Sequence, residues 1–394
     1  MAEEQEKILR EKPFQIYNTM SDNSFNRIRI DCAKLENNYR VIKDFAGYRV
    51  PVMAMVKAEA YGHGMIRAAE AFGRAGCDLF GVAELREGVL LRKAGVRGEI
   101  YVTIGFDAAD AELFFQHQLT PVIYSHAAAS ALSTKATALG RQIGVHVKVD
   151  TGMGRLGLHP DDLPGFFESL SNLDGVKIAG IMSHFAESDD PDSLSTRQAI
   201  QTFSATCREL KSNYSGICHI ANSGGVLNFP DAYYDMVRAG IALYGYHPAG
   251  GNRNVGQQGQ GLLPAMTFHS RILQVKKVPA GIGISYGHTY KTQSPMRIAT
   301  LPVGYEDGYS RLLSNRGQVL IRGRRAQVCG RICMNMCMVD VTHIDGAAPG
   351  DEVVLLGSQG KERISADDIG AAIGSISYEV LCLLGNNNQK EYIE

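Results

Sequence analysis

Between residues 50 and about 245, short apolar runs alternate with stretches in which apolar side chains recur every three to four positions. The runs fall at 50–56, 79–82, 100–104, 121–124, 143–149, 176–182, 217–220 and 234–243, and each reads as a buried strand. The intervening stretches, such as 65–74, 85–93, 127–139 and 197–210, carry one apolar stripe each and read as amphipathic helices. About eight strand-then-helix repeats in roughly 200 residues predict a (β/α)8 TIM-like barrel, with a doubly wound open sheet as the structural alternative. Ahead of the repeats, residues 26–30 alternate like a short strand. Asp31 then stands as an N-cap for a helix with Leu35, Tyr39, Ile42 and Phe45 on one stripe. Residues 1–24 are polar and aperiodic and read as an extension expected to be disordered.

From about Met266 the period changes to short alternating segments at 271–278, 298–302, 318–321, 328–340 and 352–357, with one helical pattern at 365–378. The fold expected is an α/β barrel over 25–262 followed by a separate C-terminal β-rich domain over 263–394. A chain of 394 residues is too long for one ordinary core, which agrees with two domains.

Charge removes several functions. Forty Lys and Arg balance 41 Asp and Glu with no long run of one sign, so neither a nucleic acid nor a membrane surface is an expected partner. No apolar stretch reaches the roughly 18 residues of a membrane span and no secretory leader pattern opens the chain, so a cytoplasmic location is expected. The eight cysteines are scattered. Cys329, Cys333 and Cys337 share a spacing of four that would put them on one face of an extended segment. They lack the Cys-x-x-Cys knuckle of a zinc site and read as buried thiols, so no metal is expected.

Barrels place their chemistry at the C-terminal ends of the strands. There the sequence offers Lys57, Asp150-Thr151-Gly152, His184, Asn222-Ser223-Gly224-Gly225 and Arg238-Ala239-Gly240. A lysine leaving an apolar strand either reaches water or has its pKa lowered for chemistry such as imine formation. The 222–225 turn directs amides and a hydroxyl at an anion, and the Ala239-Gly240-Ile241 turn does likewise, as a phosphorylated aldehyde cofactor requires. Gly152-Met-Gly-Arg-Leu-Gly157 fits G-x-G-x-x-G, but His159-Pro160 stands where the helix of a dinucleotide site would begin, so that reading is rejected. Arg155 is then available to the site.

Several segments together resemble the bacterial alanine racemases, which bind pyridoxal 5'-phosphate: Val56-Lys-Ala-Glu-Ala-Tyr-Gly-His-Gly64, His146-Val-Lys-Val-Asp-Thr-Gly-Met-Gly-Arg-Leu-Gly157, Ile220-Ala-Asn-Ser-Gly224, Val237-Arg-Ala-Gly-Ile-Ala-Leu-Tyr-Gly245, Ser285-Tyr-Gly287, Gly304-Tyr-Glu-Asp-Gly308 and Cys329-Gly-Arg-Ile-Cys-Met334. The resemblance implies that Lys57 carries the cofactor and is the base on one face of the substrate. It implies that Tyr61, Asn222, Ser223, Gly240, Ile241 and Tyr378 hold the phosphate end. Arg238 would hydrogen-bond the pyridine nitrogen with His219 behind it, and His184 would lie against the ring. Arg155 would meet the phenolic oxygen and the substrate carboxylate, oriented by Lys148, a position often carbamylated in the family. The opposite base would be Tyr286 from a second subunit, with Met334 touching substrate from the same side and Tyr305 one layer out. A homodimer sharing its active sites is thus implied. An arginine, with a pKa above about 12, cannot protonate the ring nitrogen, so the ring stays a weak electron sink, which suits a racemase.

Glu59 replaces the family's usual asparagine, Asn335 a common aspartate, and the 384–392 segment lacks the usual Arg-Val-Pro-Arg-like ending. These departures bear on substrate range, leaving a serine or broad-specificity racemase as the nearest alternative. A non-catalytic cofactor carrier would lack the β-rich domain, and a basic amino-acid decarboxylase would place an acid where Arg238 stands.

Overall fold

The computed structural model describes residues 24–211, 215–251 and 260–394, so the expected polar extension lies outside the described residues but for Ser24. Strand β1 (Arg27–Asp31) buries Ile28 and Ile30, and Asp31 caps helix α1 (Cys32–Ala46) by accepting the Lys34 amide at 3.0 Å. On α1 the buried stripe is Leu35, Tyr39 and Ile42, with Phe45 half-buried.

Strands and helices then alternate through β2 (Val52–Met55), α2 (Met65–Arg74), β3 (Leu79–Val82), α3 (Leu85–Lys93), β4 (Glu99–Val102), α4 (Ala111–Gln116), β5 (Thr120–Ile123), α5 (His126–Leu139), β6 (Ile143–Lys148), α6 (Leu163–Ser171), β7 (Val176–Met182), α7 (Leu194–Lys211), β8 (Ile217–His219), α8 (Ser223–Asn228) and β9 (Val237–Ala239). The eight strands β2–β9 pair in parallel in the order β8-β7-β6-β5-β4-β3-β2-β9. At the seam, the Asp235 amide donates to the Cys218 carbonyl at 3.1 Å and the Arg238 amide to Ala221 at 2.8 Å, leaving a nearly closed barrel. Strands buried on both faces read as unbroken apolar runs, which is why they were legible as such. The run at 234–243 is the exception: only 237–239 is strand, and Ile241–Tyr244 is a 3-10 turn. The eighth helix position is filled out of order by α1, which packs against α2 and the Ile241–Tyr244 turn.

Asp31–Ala265 with Tyr392–Glu394 forms one compact unit, and Met266–Glu391 with β1 forms the other. Strand β1 therefore leaves the barrel in which the 25–262 expectation put it: Ile30 pairs antiparallel with Met266 and Arg27 with His269. The second unit contains β10 (Met266–Arg271), β11 (Gln274–Val278), β12 (Gly283–Ile284), β13 (Tyr290–Lys291), β14 (Met296–Leu301), β15 (Gln318–Ile321), β16 (Arg324–Gln327), β17 (Cys337–Asp340), β18 (Glu352–Gln359) and β19 (Glu362–Ile364). Helices α9 (Ala366–Ile373) and α10 (Ser377–Asn387) and the first half of strand β20 (Lys390–Ile393) complete it. Its main sheet runs β16-β15-β18-β10-β1-β20, beside a three-stranded sheet β11-β14-β17 and the β12-β13 pair. Buried Asn26 ties this unit together, donating to the Pro302 carbonyl at 2.7 Å and to Asp307 at 2.9 Å while accepting from Ser270 at 2.7 Å.

Two expectations are corrected here. The 328–340 segment is not one strand: Cys337 begins β17, whereas Cys333 sits in a turn closed by its own amide on the Met336 carbonyl, so the three cysteines do not share an extended face. Cys329 and Cys337 are fully buried, and among the described residues no group of His, Cys, Asp and Glu is placed to hold a metal. The 365–378 helix is two helices broken at left-handed Gly374, which puts Tyr378 at the start of α10. Among the described residues no single helix is long and apolar enough to cross a membrane.

Candidate active site at the strand ends

Strand β2 delivers Lys57 into one turn of left-handed helix. Ala58, Glu59, Ala60 and Tyr61 all have φ between 53° and 55°. Each such residue costs about 1–2 kcal/mol for an L-amino acid, so the turn persists only with outside support. Glu87 on α3 supplies it: one carboxylate oxygen accepts the Ala58 amide at 2.7 Å, and the other accepts the amides of Ala83 and Glu84 at 2.7 and 2.9 Å. Glu59 in turn accepts the Met65 amide and starts α2.

Behind the lysine lies Arg238 of β9, 2% exposed. Its guanidinium donates to the Ser183 carbonyl at 2.6 Å, the Ile220 carbonyl at 3.1 Å and His219 Nδ1 at 2.9 Å, and it lies 3.3 Å from His184 Nδ1. No carboxylate is among these partners. Burial pushes Arg238 down to about 9, still a cation at neutral pH. Burial, then the Arg238 charge, holds His184 and His219 well below the usual imidazole range, so both are neutral. Lys148, at the end of β6, is pushed down to about 8 by burial and by the charges of Arg238, Arg155 and Lys57.

Arg155 is carried on a loop that closes on itself. Asp150 Oδ1 accepts the amides of Gly152, Met153 and Gly154 at 2.9 to 3.1 Å, and the Leu158 amide returns to the Lys148 carbonyl at 2.9 Å. Gly157 has φ +127°, and a Cβ there would lie 2.7 Å from the Asp150 nitrogen. The glycine pattern thus shapes a hairpin for an arginine, and no helix follows it directly.

The late strand ends form a cradle. Ser223 Oγ accepts the amides of Gly240 at 2.9 Å and Ala242 at 3.3 Å, and Asn222 caps α8 by accepting the Gly225 amide at 3.0 Å. A Cβ on Gly240 would lie 2.4 Å from the Tyr61 hydroxyl, and one on Gly224 would lie 2.5 Å from the Ser188 carbonyl. Tyr61 is held against Tyr244 at a ring separation of 4.8 Å, and Tyr244 is anchored on the Met55 carbonyl at 2.8 Å. A hydroxyl pair and glycine amides with no room for a side chain fit a phosphate group. A buried donor-only arginine fits the ring nitrogen of a neutral pyridine. The residues present therefore fit pyridoxal 5'-phosphate.

Lys57, Tyr61, Lys148, Arg155, His184, His219, Asn222, Ser223, Arg238, Gly240 and Ile241 all belong to the barrel unit and gather at these strand ends. Tyr286, Tyr305, Met334 and Tyr378 lie in the strand-rich unit. There Ser285 Oγ donates to the Arg331 carbonyl at 2.6 Å and lies 3.5 Å from Cys333 Sγ, which joins the Tyr286 turn to the Met334 loop. Tyr286 is 69% and Met334 54% exposed, with Tyr305, Leu312 and Met336 also exposed. Sequence reasoning missed Glu87: nothing local signals that a helical glutamate reaches back to residue 58.

Residues 30–248 match the family description "Alanine racemase, N-terminal domain" and residues 265–392 match "Alanine racemase, C-terminal domain". The chain is 43% identical over 366 residues to an alanine racemase of Syntrophobacter fumaroxidans, covering 93% of this chain and 96% of that one. Among solved structures it is similar to an alanine racemase of the D-cycloserine producer Streptomyces lavendulae, with a TM-score of 0.89, 33% identity and coverage of 95% and 98%. It is likewise similar to an alanine racemase of Bartonella henselae with covalently bound pyridoxal phosphate, with a TM-score of 0.85, 29% identity and coverage of 94% and 100%.

Proposed function

The chain belongs to the alanine racemase family, and from that premise we propose how its residues interconvert L- and D-alanine. It is an amino-acid racemase, an isomerase, and its product D-alanine serves peptidoglycan synthesis as in the family. We place it in the cytoplasm. Pyridoxal 5'-phosphate, when bound, supplies an aldehyde that condenses with amines and a conjugated ring that draws electrons from the substrate α-carbon.

Lys57 would hold that aldehyde and would remove or return the substrate α-hydrogen on one face. Tyr61, Ser223, Asn222 and the Gly240-Ile241 amides would bind the phosphate end. Arg238 would hydrogen-bond the ring nitrogen as a donor that gives up no proton, and His184 would help to hold the ring. Arg155 binds the substrate carboxylate. Lys148 as a cation would repel Arg155 and Arg238, while its lowered pKa supplies the neutral amine that carbon dioxide carbamylates. The resulting anion would orient Arg155.

The partner subunit's Tyr286 serves the opposite face, beside the partner subunit's Met334, with Tyr305 behind. The exposed cluster of Tyr286, Met334, Tyr305 and Met336 supports a homodimer interface.

One observation carries the reading most: a wholly buried arginine without a carboxylate partner among the described residues, set beside the Lys57 turn and the Ser223–Gly240 cradle. Borohydride reduction followed by peptide mapping tests it. A cofactor adduct is expected on Lys57 alone, and Lys57→Ala is expected to lose nearly all turnover. An adduct on another lysine would overturn the assignment. Turnover on a panel of L-amino acids separates alanine from broader specificity.

A further inference from the structure

The imidazole of His219 has a second partner. Its Nε2 lies 2.8 Å from Nδ1 of His146, a fully buried residue of β6 two positions before Lys148. The three side chains Arg238, His219 and His146 thus form a row that runs from the strand ends down the inside of the barrel.

Hydrogen-bond bookkeeping fixes the direction of that row. A guanidinium only donates, so Nδ1 of His219 must be the unprotonated nitrogen. With a neutral ring, the His219 proton then sits on Nε2 and is donated to His146 Nδ1. That nitrogen must accept, which puts the His146 proton on its own Nε2. Neither ring has the freedom to carry two protons: burial and the Arg238 charge push His146 down to about 3, and His219 shifts the same way.

Packing reserves the place for the second imidazole. A Cβ on Gly180 of β7 would lie 2.4 Å from His146 Cε1, so the strand is opened at that position to admit the ring. On the other side, Tyr101 meets it edge-on at 5.0 Å and 88°. Beyond His146 lies a cavity of about 580 Å3 at the N-terminal ends of the strands, lined also by Glu99, Tyr101, Phe114, Arg141 and Gln142. The row therefore starts where Arg238 faces the site and ends on the opposite face of the barrel.

We propose that His146 is a positioning residue for Arg238: by accepting the His219 proton it fixes the orientation of His219 and strengthens the acceptor that holds the guanidinium in place. Each bond in such a row polarises the next, and the acceptor end spreads the charge of an arginine whose hydrogen-bond partners among the described residues include no acid. This inference rests on the reading that Arg238 meets the cofactor ring nitrogen.

The test is nitrogen-15 NMR of histidine-labelled protein together with steady-state kinetics. The full-length protein is expected to show both His146 and His219 neutral, each unprotonated at Nδ1 and protonated at Nε2. A proton on Nδ1 of either ring overturns the inference, with or without cofactor. His146→Phe keeps the ring and removes the acceptor. It is expected to split the single His219 tautomer and to lower kcat for alanine about tenfold, at the lower end of the roughly 10- to 100-fold that outer-shell partners carry, with KM little changed. His146→Asn restores an acceptor near the Nδ1 position and is expected to recover most of kcat. A His219 signal and kcat untouched in His146→Phe refute the proposal. If the phenylalanine variant fails to fold, the wild-type spectrum and His146→Asn still decide. Failure of the underlying reading looks different: Arg238→Lys would leave the cofactor absorbance and the turnover unchanged while the His146 tautomer stayed as stated.

Discussion

Glu87→Ala is the substitution that separates the support of the site from its chemistry. The carboxylate touches no proposed cofactor or substrate atom, yet it accepts three backbone amides, from Ala58, Ala83 and Glu84, at 2.7, 2.7 and 2.9 Å. Hydrogen bonds to a charged acceptor contribute about 1.5–3 kcal/mol each when their partners are left unsatisfied on removal. Glu87 is half-buried, so water replaces part of each bond, and the three share one acceptor and do not add. A total loss of about 3 kcal/mol follows. At roughly 2–4 °C per kcal/mol for a domain of this size, the melting transition of the barrel falls by about 6–12 °C. The four left-handed residues it braces hold on the order of 4–8 kcal/mol of conformational strain, so the turn relaxes once Ala58 loses its acceptor. Lys57 stands at the head of that turn, and kcat is expected to fall with it. Differential scanning calorimetry and alanine racemisation measure the two effects, and Glu87→Gln, which keeps one acceptor oxygen, is expected to fall between. An alanine variant melting within about 2 °C of the parent, with unchanged kcat, would refute the claim that Glu87 holds the turn.

Tyr286→Ala is expected to abolish racemisation in both directions while deuterium exchange at the α-carbon of D-alanine survives through Lys57; loss of a positioned acid–base group typically costs about 10²- to 10⁴-fold. Equal loss of exchange from both enantiomers would show that the two residues do not serve opposite faces. Specific activity is expected to fall on dilution below the dimer dissociation constant, and a fully active monomer in analytical ultracentrifugation would exclude a shared site. Stability should decline in acid: His146 has a folded pKa near 3 against an ordinary 6.5, so its contribution is complete above about pH 6.5 and is lost as pH falls, because the unfolded chain takes up the proton first. Between pH 7 and pH 5 this amounts to about 2 kcal/mol, at 1.36 kcal/mol per unit. His184 and His219 act in the same direction. A urea midpoint that does not move over that range would contradict it.

The barrel was legible because its strands are buried on both sides and its longer helices carry one apolar stripe. The bounds 65–74 and 85–93 match α2 and α3 to the residue. Helices α4 and α8 escaped because six residues give too few turns for a period to show. Strand β1 was recognised as a strand but assigned to the wrong neighbours, since its partner Met266 lies far along the chain and pairing leaves no local trace. At the site, Lys57, Arg238 and the Ser223 turn were visible as polar residues ending apolar runs. Glu87 and His146 were not, because each acts through a contact whose partner the sequence does not indicate.

The strand-rich unit is made from both sides of the barrel: β1 precedes it, β10 follows about 235 residues later, and β20 pairs on the other flank of β1. During translation β1 therefore emerges with neither neighbour in existence. At about 5–20 residues per second, the ribosome needs on the order of 10–50 s to supply β10 and longer still to supply β20. Throughout that interval the alternating apolar face of Ile28 and Ile30 has no native sheet to join, while the eight barrel strands emerge in turn and are all made before β10. Biogenesis is thereby ordered, with the barrel assembling first. The unit that carries Tyr286 is completed only after β20 has left the ribosome, so the face proposed to serve a second subunit is the last part of the chain to be finished.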